Sequence, residues 1–165
     1  MISVRRLCAD EWREYRELRL RALADAPEAF GSTFEAERAK PDEHWETRLA
    51  AAATSPFQLL LIAELGTEFV GLVMGWIDPE VPETAHVYQL WVAPEARGRG
   101  SATQLLDTVL AWARDTPART AILSVTCGNG AARRLYERAG FTPVGDPEPL
   151  RPGSSIQVQP MTLKL

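Results

Sequence analysis

The sequence predicts a single α/β domain in which helices wrap a mixed sheet. Runs of β character alternate with apolar residues at helical spacing along most of the chain. No repeat, linker or low-complexity tract interrupts this alternation, so residues 1–165 read as one domain. A chain of 165 residues buries a sizeable core without dividing.

The elements follow in order. Ile2, Val4 and Leu7 mark a first strand. Asp10 stands where a cap belongs for the next helix, which carries Trp12, Tyr15, Leu18, Leu20, Leu23 and Ala26 and stops at Pro27. Ala29 to Glu35 reads as a loop. Pro41, Asp42 and Glu43 open a second helix with Trp45, Leu49 and Ala52 on one side. Phe57 to Leu65 is a strand, apolar on both faces in its middle. Gly66-Thr67 turns it into the next, Glu68 to Ile77. Asp78 to Glu83 is a proline-rich, acidic loop, and Ala85 to Val92 is the strand that ends before Pro94. A helix follows, with Leu105, Leu106, Val109, Leu110 and Ala113 at helical spacing. Ala121 to Thr126 is a strand and Asn129 to Gly140 bounds a helix. After a long loop through Pro152-Gly153, Ile156 to Leu165 alternates as a closing strand. The predicted order is β-α-α-β-β-β-α-β-α-β-β. The closing strand is expected at a sheet edge, where it offers a pairing surface for a homodimer.

Composition narrows the class. The net charge of −4 argues against general nucleic-acid binding. No run of 18 apolar residues is present to span a membrane. The first residues lack the apolar core of a signal peptide. Cys8 and Cys127 are few and far apart, which suits a reducing cytoplasm better than a disulfide scaffold. His44 and His86 are the only histidines, and no Cys/His cluster has metal-ligand spacing, so no metal is expected.

The most specific chemistry lies in Val92-Ala93-Pro94-Glu95-Ala96-Arg97-Gly98-Arg99-Gly100-Ser101-Ala102. A strand, a glycine turn and a helix start make an anion site, because the first helical N–H groups have no internal partner and the dipole favours negative charge. Arg97 and Arg99 add positive charge. A Walker A loop needs a lysine that is absent here. A dinucleotide fingerprint needs glycine where Gln104 stands. What remains is R-x-x-G-x-A, from Arg97 to Ala102. A second motif, Asn129-Gly130-Ala131-Ala132-Arg133-Arg134-Leu135-Tyr136-Glu137-Arg138-Ala139-Gly140-Phe141, follows the next strand. Asn129 is a good N-cap. Gly140 fits a left-handed position after the helix. Asn129, Ala132 and Tyr136 share one helical face.

In this order and separation, the two motifs resemble the acetyl-CoA-dependent N-acetyltransferases of the GNAT superfamily, whose pyrophosphate loop has the form [QR]-x-x-G-x-[GA]. The resemblance covers nearly the whole chain. Leu23 to Thr33 also resembles a phrase frequent in bacterial members. The resemblance implies a GNAT-like fold whose two central parallel strands splay apart to admit acetyl-CoA as co-substrate. Backbone groups of Leu90, Trp91 and Val92 would hold the cofactor arm. Arg97, Gly98, Arg99, Gly100, Ser101 and Ala102 would cradle the pyrophosphate. Asn129 would bond the arm nearer the thiol, and Tyr136 would act there as general acid. The Val92 N–H, taken as lying where the strands part, is the implied oxyanion donor. The chemistry of Tyr136 agrees independently: a phenol near 10 can donate a hydrogen bond to a leaving thiolate near 8.5.

The base is less defined. Relatives often carry a glutamate on the strand before the loop, but this stretch reads His86-Val87-Tyr88-Gln89-Leu90-Trp91. Strand alternation puts His86, Tyr88 and Leu90 on one face, so His86, Tyr88 or Glu35 is the expected base, acting through water. Phe30 and Phe34 are candidates for the acceptor wall. Cys127 is a rival nucleophile for a covalent route, although no histidine or acid neighbours it to activate it. The acceptor is expected to be a small-molecule or peptide amine. Two rival functions stand beside this one. One is a non-catalytic acyl-CoA sensor that keeps the loop and does not need Tyr136. The other is an enzyme acting on a protein N-terminus or lysine.

Overall fold

A computed structural model describes all residues, Met1–Leu165. Its strands are β1 (Ile2–Arg6), β2 (Gln58–Leu65), β3 (Glu68–Ile77), β4 (Thr84–Val92), β5 (Thr120–Thr126), β6 (Thr142–Pro143), β7 (Glu148–Pro149) and β8 (Gln157–Lys164). Its helices are α1 (Trp12–Asp25), α2 (Phe34–Arg38), α3 (Asp42–Thr54), α4 (Ser101–Arg114) and α5 (Gly130–Arg138). The sheet order is β1-β2-β3-β4-β5-β8-β6, with β7 also on β8. All neighbours are antiparallel except β4 and β5. The expected α/β class therefore holds, with one helix and short strands added. No helix is long and apolar enough to cross a membrane.

β2 is buried on both faces over Leu59–Ala63 because helices cover both sides of the sheet. α1 and α3 pack together on one side, and α4 lies across β2, β3 and β4. The apolar positions read from the sequence of α4 are its buried ones. α4 comes close because β3 has glycine beneath it: a Cβ at Gly75 would stand 2.6 Å from the Trp112 ring.

Several local expectations change. Asp10 does not cap α1. A 3-10 turn, Ala9–Glu11, intervenes, and the Glu11 carboxylate accepts the Cys8 N–H at 2.7 Å. The expected loop from Ala29 contains α2, because the Thr33 hydroxyl accepts the Ala36 N–H at 3.2 Å and caps it. β8 is no edge strand. It is paired with β5 on one side and with β6 and β7 on the other. The surface expected to seat a second copy is thus already covered.

Candidate active site

The site begins where β4 and β5 separate. Their parallel pairing is confined to Thr84–Thr120, Ala85–Ala121 and His86–Ile122. Beyond that, β5 continues with β8, and the edge of β4 from Val87 onward is left without a strand partner. The strands thus part at His86, not at Val92, which stands at the far, wide end of the gap. The Ala93 N–H donates to the Val70 oxygen at 2.7 Å. By antiparallel alternation the Gly71–Val92 pair is then the non-bonded one, so the Val92 N–H turns away from β3 toward the gap.

β4 carries a bulge that the sequence does not announce. Trp91 faces Leu72 and Tyr88 faces Met74, so Gln89 and Leu90 together oppose Val73. Gln89 has φ of 61°, the only positive value outside glycine. The extra residue shifts the alternation. Trp91, not Leu90, continues the face of His86 and Tyr88. The Gln89 Oε1 accepts the Tyr15 hydroxyl at 2.9 Å, which ties the bulge to α1.

At the wide end, Gly98 and Gly100 have φ of 76° and 80°, a region open to glycine at little cost, and nothing lies within 4 Å of where their Cβ atoms would be. Gly100 precedes α4 without a side-chain cap. The first helical N–H to find a carbonyl is that of Gln104, bonded to Gly100 at 3.0 Å. The N–H groups of Ser101, Ala102 and Thr103 therefore lack intrahelical partners. The Ser101 hydroxyl is turned inward, 3.5 Å from the Ala96 oxygen. This open cradle suits a phosphate-bearing group. The two arginines divide the work. Arg97 donates to the Val92 oxygen at 3.0 Å and to Asp25 Oδ2 at 2.7 Å. Asp25 also accepts the Trp91 indole N–H at 2.9 Å. Arg97 thus braces the loop against α1, whereas Arg99 is exposed and has no ion pair.

A cavity of about 650 Å³ fills the gap between β4 and β5. His86, Tyr88, Leu90 and Tyr136 line it, as does Phe30. The segment carrying Phe30 is pinned at both ends. Arg151 Nη1 donates to the Phe30 oxygen at 2.9 Å, and the Thr126 hydroxyl to the Glu28 oxygen at 2.7 Å. Tyr136 is the buried residue of α5 and packs edge-on against Phe141. Its hydroxyl has no partner in the chain, and burial pushes its pKa up to about 12. The His86 ring stacks on Tyr88, 5.6 Å between centroids, and lies against Trp76. Burial lowers the His86 pKa, with Asp78 opposing weakly, so its imidazole is neutral near pH 7.

Asn129 caps α5 as expected, its Oδ1 accepting the Ala132 N–H at 3.2 Å, and Gly140 has φ of 103° after the helix. Asn129 and Cys127 are both exposed and outside the cavity wall. Two candidates are not brought to the site. Glu35 sits on α2 with its side chain 80% exposed, beside Arg38. Phe34 starts the same helix and packs on the core outside the cavity. Both are drawn off because α2 forms where a loop was expected. The cavity wall also holds Arg19, Gln89 and Glu148, which no sequence motif singles out.

Comparison with known proteins agrees with the fold. The model of the acetyltransferase (GNAT) family matches residues 6–141. A mycothiol acetyltransferase of Beutenbergia cavernae is 34% identical over 127 residues, 77% of this chain and 40% of the relative. An L-2,4-diaminobutyric acid acetyltransferase of Methylotuvimicrobium alcaliphilum is 36% identical over 75 residues, 46% of this chain and 44% of the relative. The chain thus spans less than half the length of these curated relatives in the matched stretches. The YncA protein of Salmonella typhimurium, solved with acetyl-CoA, superposes with a TM-score of 0.82 at 17% identity, covering 100% of this chain and 94% of that one.

Proposed function

The chain belongs to the acetyltransferase (GNAT) family, and from that membership we propose that it moves an acetyl group from acetyl-CoA to the amine of a small molecule or peptide, by direct attack in a ternary complex. One observation carries the reading. The splayed β4–β5 gap has an unsatisfied amide cradle at its wide end and, on its wall, a buried tyrosine whose hydroxyl has no partner in the chain. The Salmonella relative supports the choice of acetyl-CoA, having been solved with it.

Acetyl-CoA supplies an activated thioester. The N–H groups from Gly98 to Ala102 hold its diphosphate, and Arg99 adds the uncommitted charge. The free edge of β4 from Leu90 to Val92 pairs with the arm, and the Val92 N–H donates to a carbonyl oxygen there. Asn129 offers its amide nitrogen, since its oxygen is committed to the cap. Tyr136 donates to the departing sulfur. A phenol near 12 keeps its proton against a thiolate near 8.5, a gap of about 5 kcal/mol, so Tyr136 acts as a hydrogen-bond donor more than by complete transfer. The neutral His86, with Tyr88 stacked on it, is placed to take a proton from the acceptor amine through water.

A thermal-shift titration with acetyl-CoA, paired with thiol release over amino acids, polyamines, aminoglycosides and short peptides, tests this. Saturable stabilisation is expected, about 2.7 kcal/mol at a hundredfold excess over Kd. Turnover that depends on Tyr136 is expected with at least one amine. No saturable affinity for coenzyme A sinks the reading. Binding without turnover of any amine leaves the acyl-CoA sensor.

A further inference from the structure

Arg19 lies in the middle of α1, where an arginine ordinarily reaches solvent. Here it is only 3% exposed. Its Nε and Nη1 are buried without a hydrogen-bond partner, and it forms no ion pair. The guanidinium lies over the Phe30 ring, 4.8 Å from its centroid. Both residues line the cavity that Tyr136 also lines. Within the chain its charge is poorly answered. Glu37 of α2 acts on it from a distance, but that carboxylate is held by Lys40 at 3.1 Å, and Arg48 of α3 adds like charge. A buried cation with no partner is a costly arrangement that a folded chain rarely keeps without a ligand to complete it.

We propose that Arg19 receives the carboxylate of the acceptor, so that the acceptor is a small amine of amino-acid type. This rests on the acetyltransferase reading above. The guanidinium presents planar N–H edges that match a carboxylate, and the Phe30 ring packs against it on one side. Glu148 is the only carboxylate in the cavity wall. The cavity thus offers a cation for the carboxylate and an anion for the ammonium of one zwitterion. The diphosphate cradle lies outside this wall, so Arg19 is not needed to hold the acetyl donor.

The test compares amines that differ only in the carboxylate: L-2,4-diaminobutyrate with 1,3-diaminopropane, and L-lysine with 1,5-diaminopentane. Each is assayed for kcat/KM with acetyl-CoA and, independently of turnover, titrated calorimetrically into the chain saturated with coenzyme A. The wild type should favour the carboxylate-bearing member by roughly 10- to 100-fold in either measurement. Arg19→Met should abolish the preference with the thermal shift by acetyl-CoA retained. Arg19→Lys, which keeps the charge without the fork, should restore part of it. Equal handling of the paired amines by the wild type overturns the proposal, as does a preference that survives in Arg19→Met. Should the methionine variant not fold, the wild-type comparison and Arg19→Lys still decide. Failure of the underlying reading looks different, because acetyl-CoA itself then gives no shift in the wild type.

Discussion

The Tyr15 hydroxyl donates to the Gln89 Oε1 at 2.9 Å and so anchors the β4 bulge to the core of α1. Tyr15 is fully buried, and burial pushes its phenol pKa up, which keeps it a donor. Tyr15→Phe should leave the amide oxygen of Gln89 unanswered and lower the unfolding free energy by about 1–3 kcal/mol, read from denaturant melts. At position 89 itself, Gln89→Gly should cost less than Gln89→Val, because a β-branched residue is strained at the φ of 61°. A valine variant as stable as the glycine variant would contradict the bulge.

Tyr136→Phe should lower kcat by roughly 100- to 10,000-fold while the KM for acetyl-CoA changes little. The hydroxyl is raised to about 12 by burial, and the protonated form is the donor. The rate should therefore show no alkaline limb from this residue up to pH 10. The stability contribution of the buried phenol is complete below its ordinary value of 10 and is lost as pH rises toward 12. A pH–rate profile and alkaline melts check both statements.

Gly100→Ala should weaken acetyl-CoA binding more than it weakens the fold. The left-handed φ of 80° costs an alanine about 1–2 kcal/mol. The added methyl also stands in the open space of the diphosphate cradle. Calorimetric Kd and melting temperature separate the two effects. Arg99→Ala should raise the Kd and flatten its dependence on salt, since that charge is exposed and unpaired.

Asp25→Asn should raise the KM for acetyl-CoA several-fold with kcat unchanged at saturation, because Asp25 braces Arg97 and Trp91 at the base of the loop. The Trp91 indole N–H first, and Arg97 second, hold the Asp25 carboxyl below its ordinary 3.8. A lowered carboxyl stabilises the fold above that value, and the contribution is lost as pH falls below it. Acid melts of the wild type and of Asp25→Asn should diverge above pH 3.8 and converge beneath it.

Local chemistry made much of this protein readable from its residues in order. Asn129 caps α5, Gly140 follows it with positive φ, and the apolar spacing of α4 matches its buried face, because each depends on neighbours a few positions away. The loop from Arg97 to Ala102 was legible for the same reason: a strand end, two glycines and a helix start lie within one short stretch. Tertiary structure alone decided the rest. The bulge at Gln89 exists only in register with β3, so period-two alternation misplaced Leu90. Whether Glu35 and Phe34 reach the cavity turned on α2, a short helix of five residues capped by Thr33. Arg97 is separated from Asp25 by most of the N-terminal half of the chain, and pairing at that range leaves no local periodic mark. Arg19 looks in the sequence like any solvated helical arginine, and only the closing of α1, Phe30 and the β4–β5 gap around it turns it inward. Short-range hydrogen bonding and apolar period are written along the chain. Burial and charge pairing belong to surfaces that meet only after it folds.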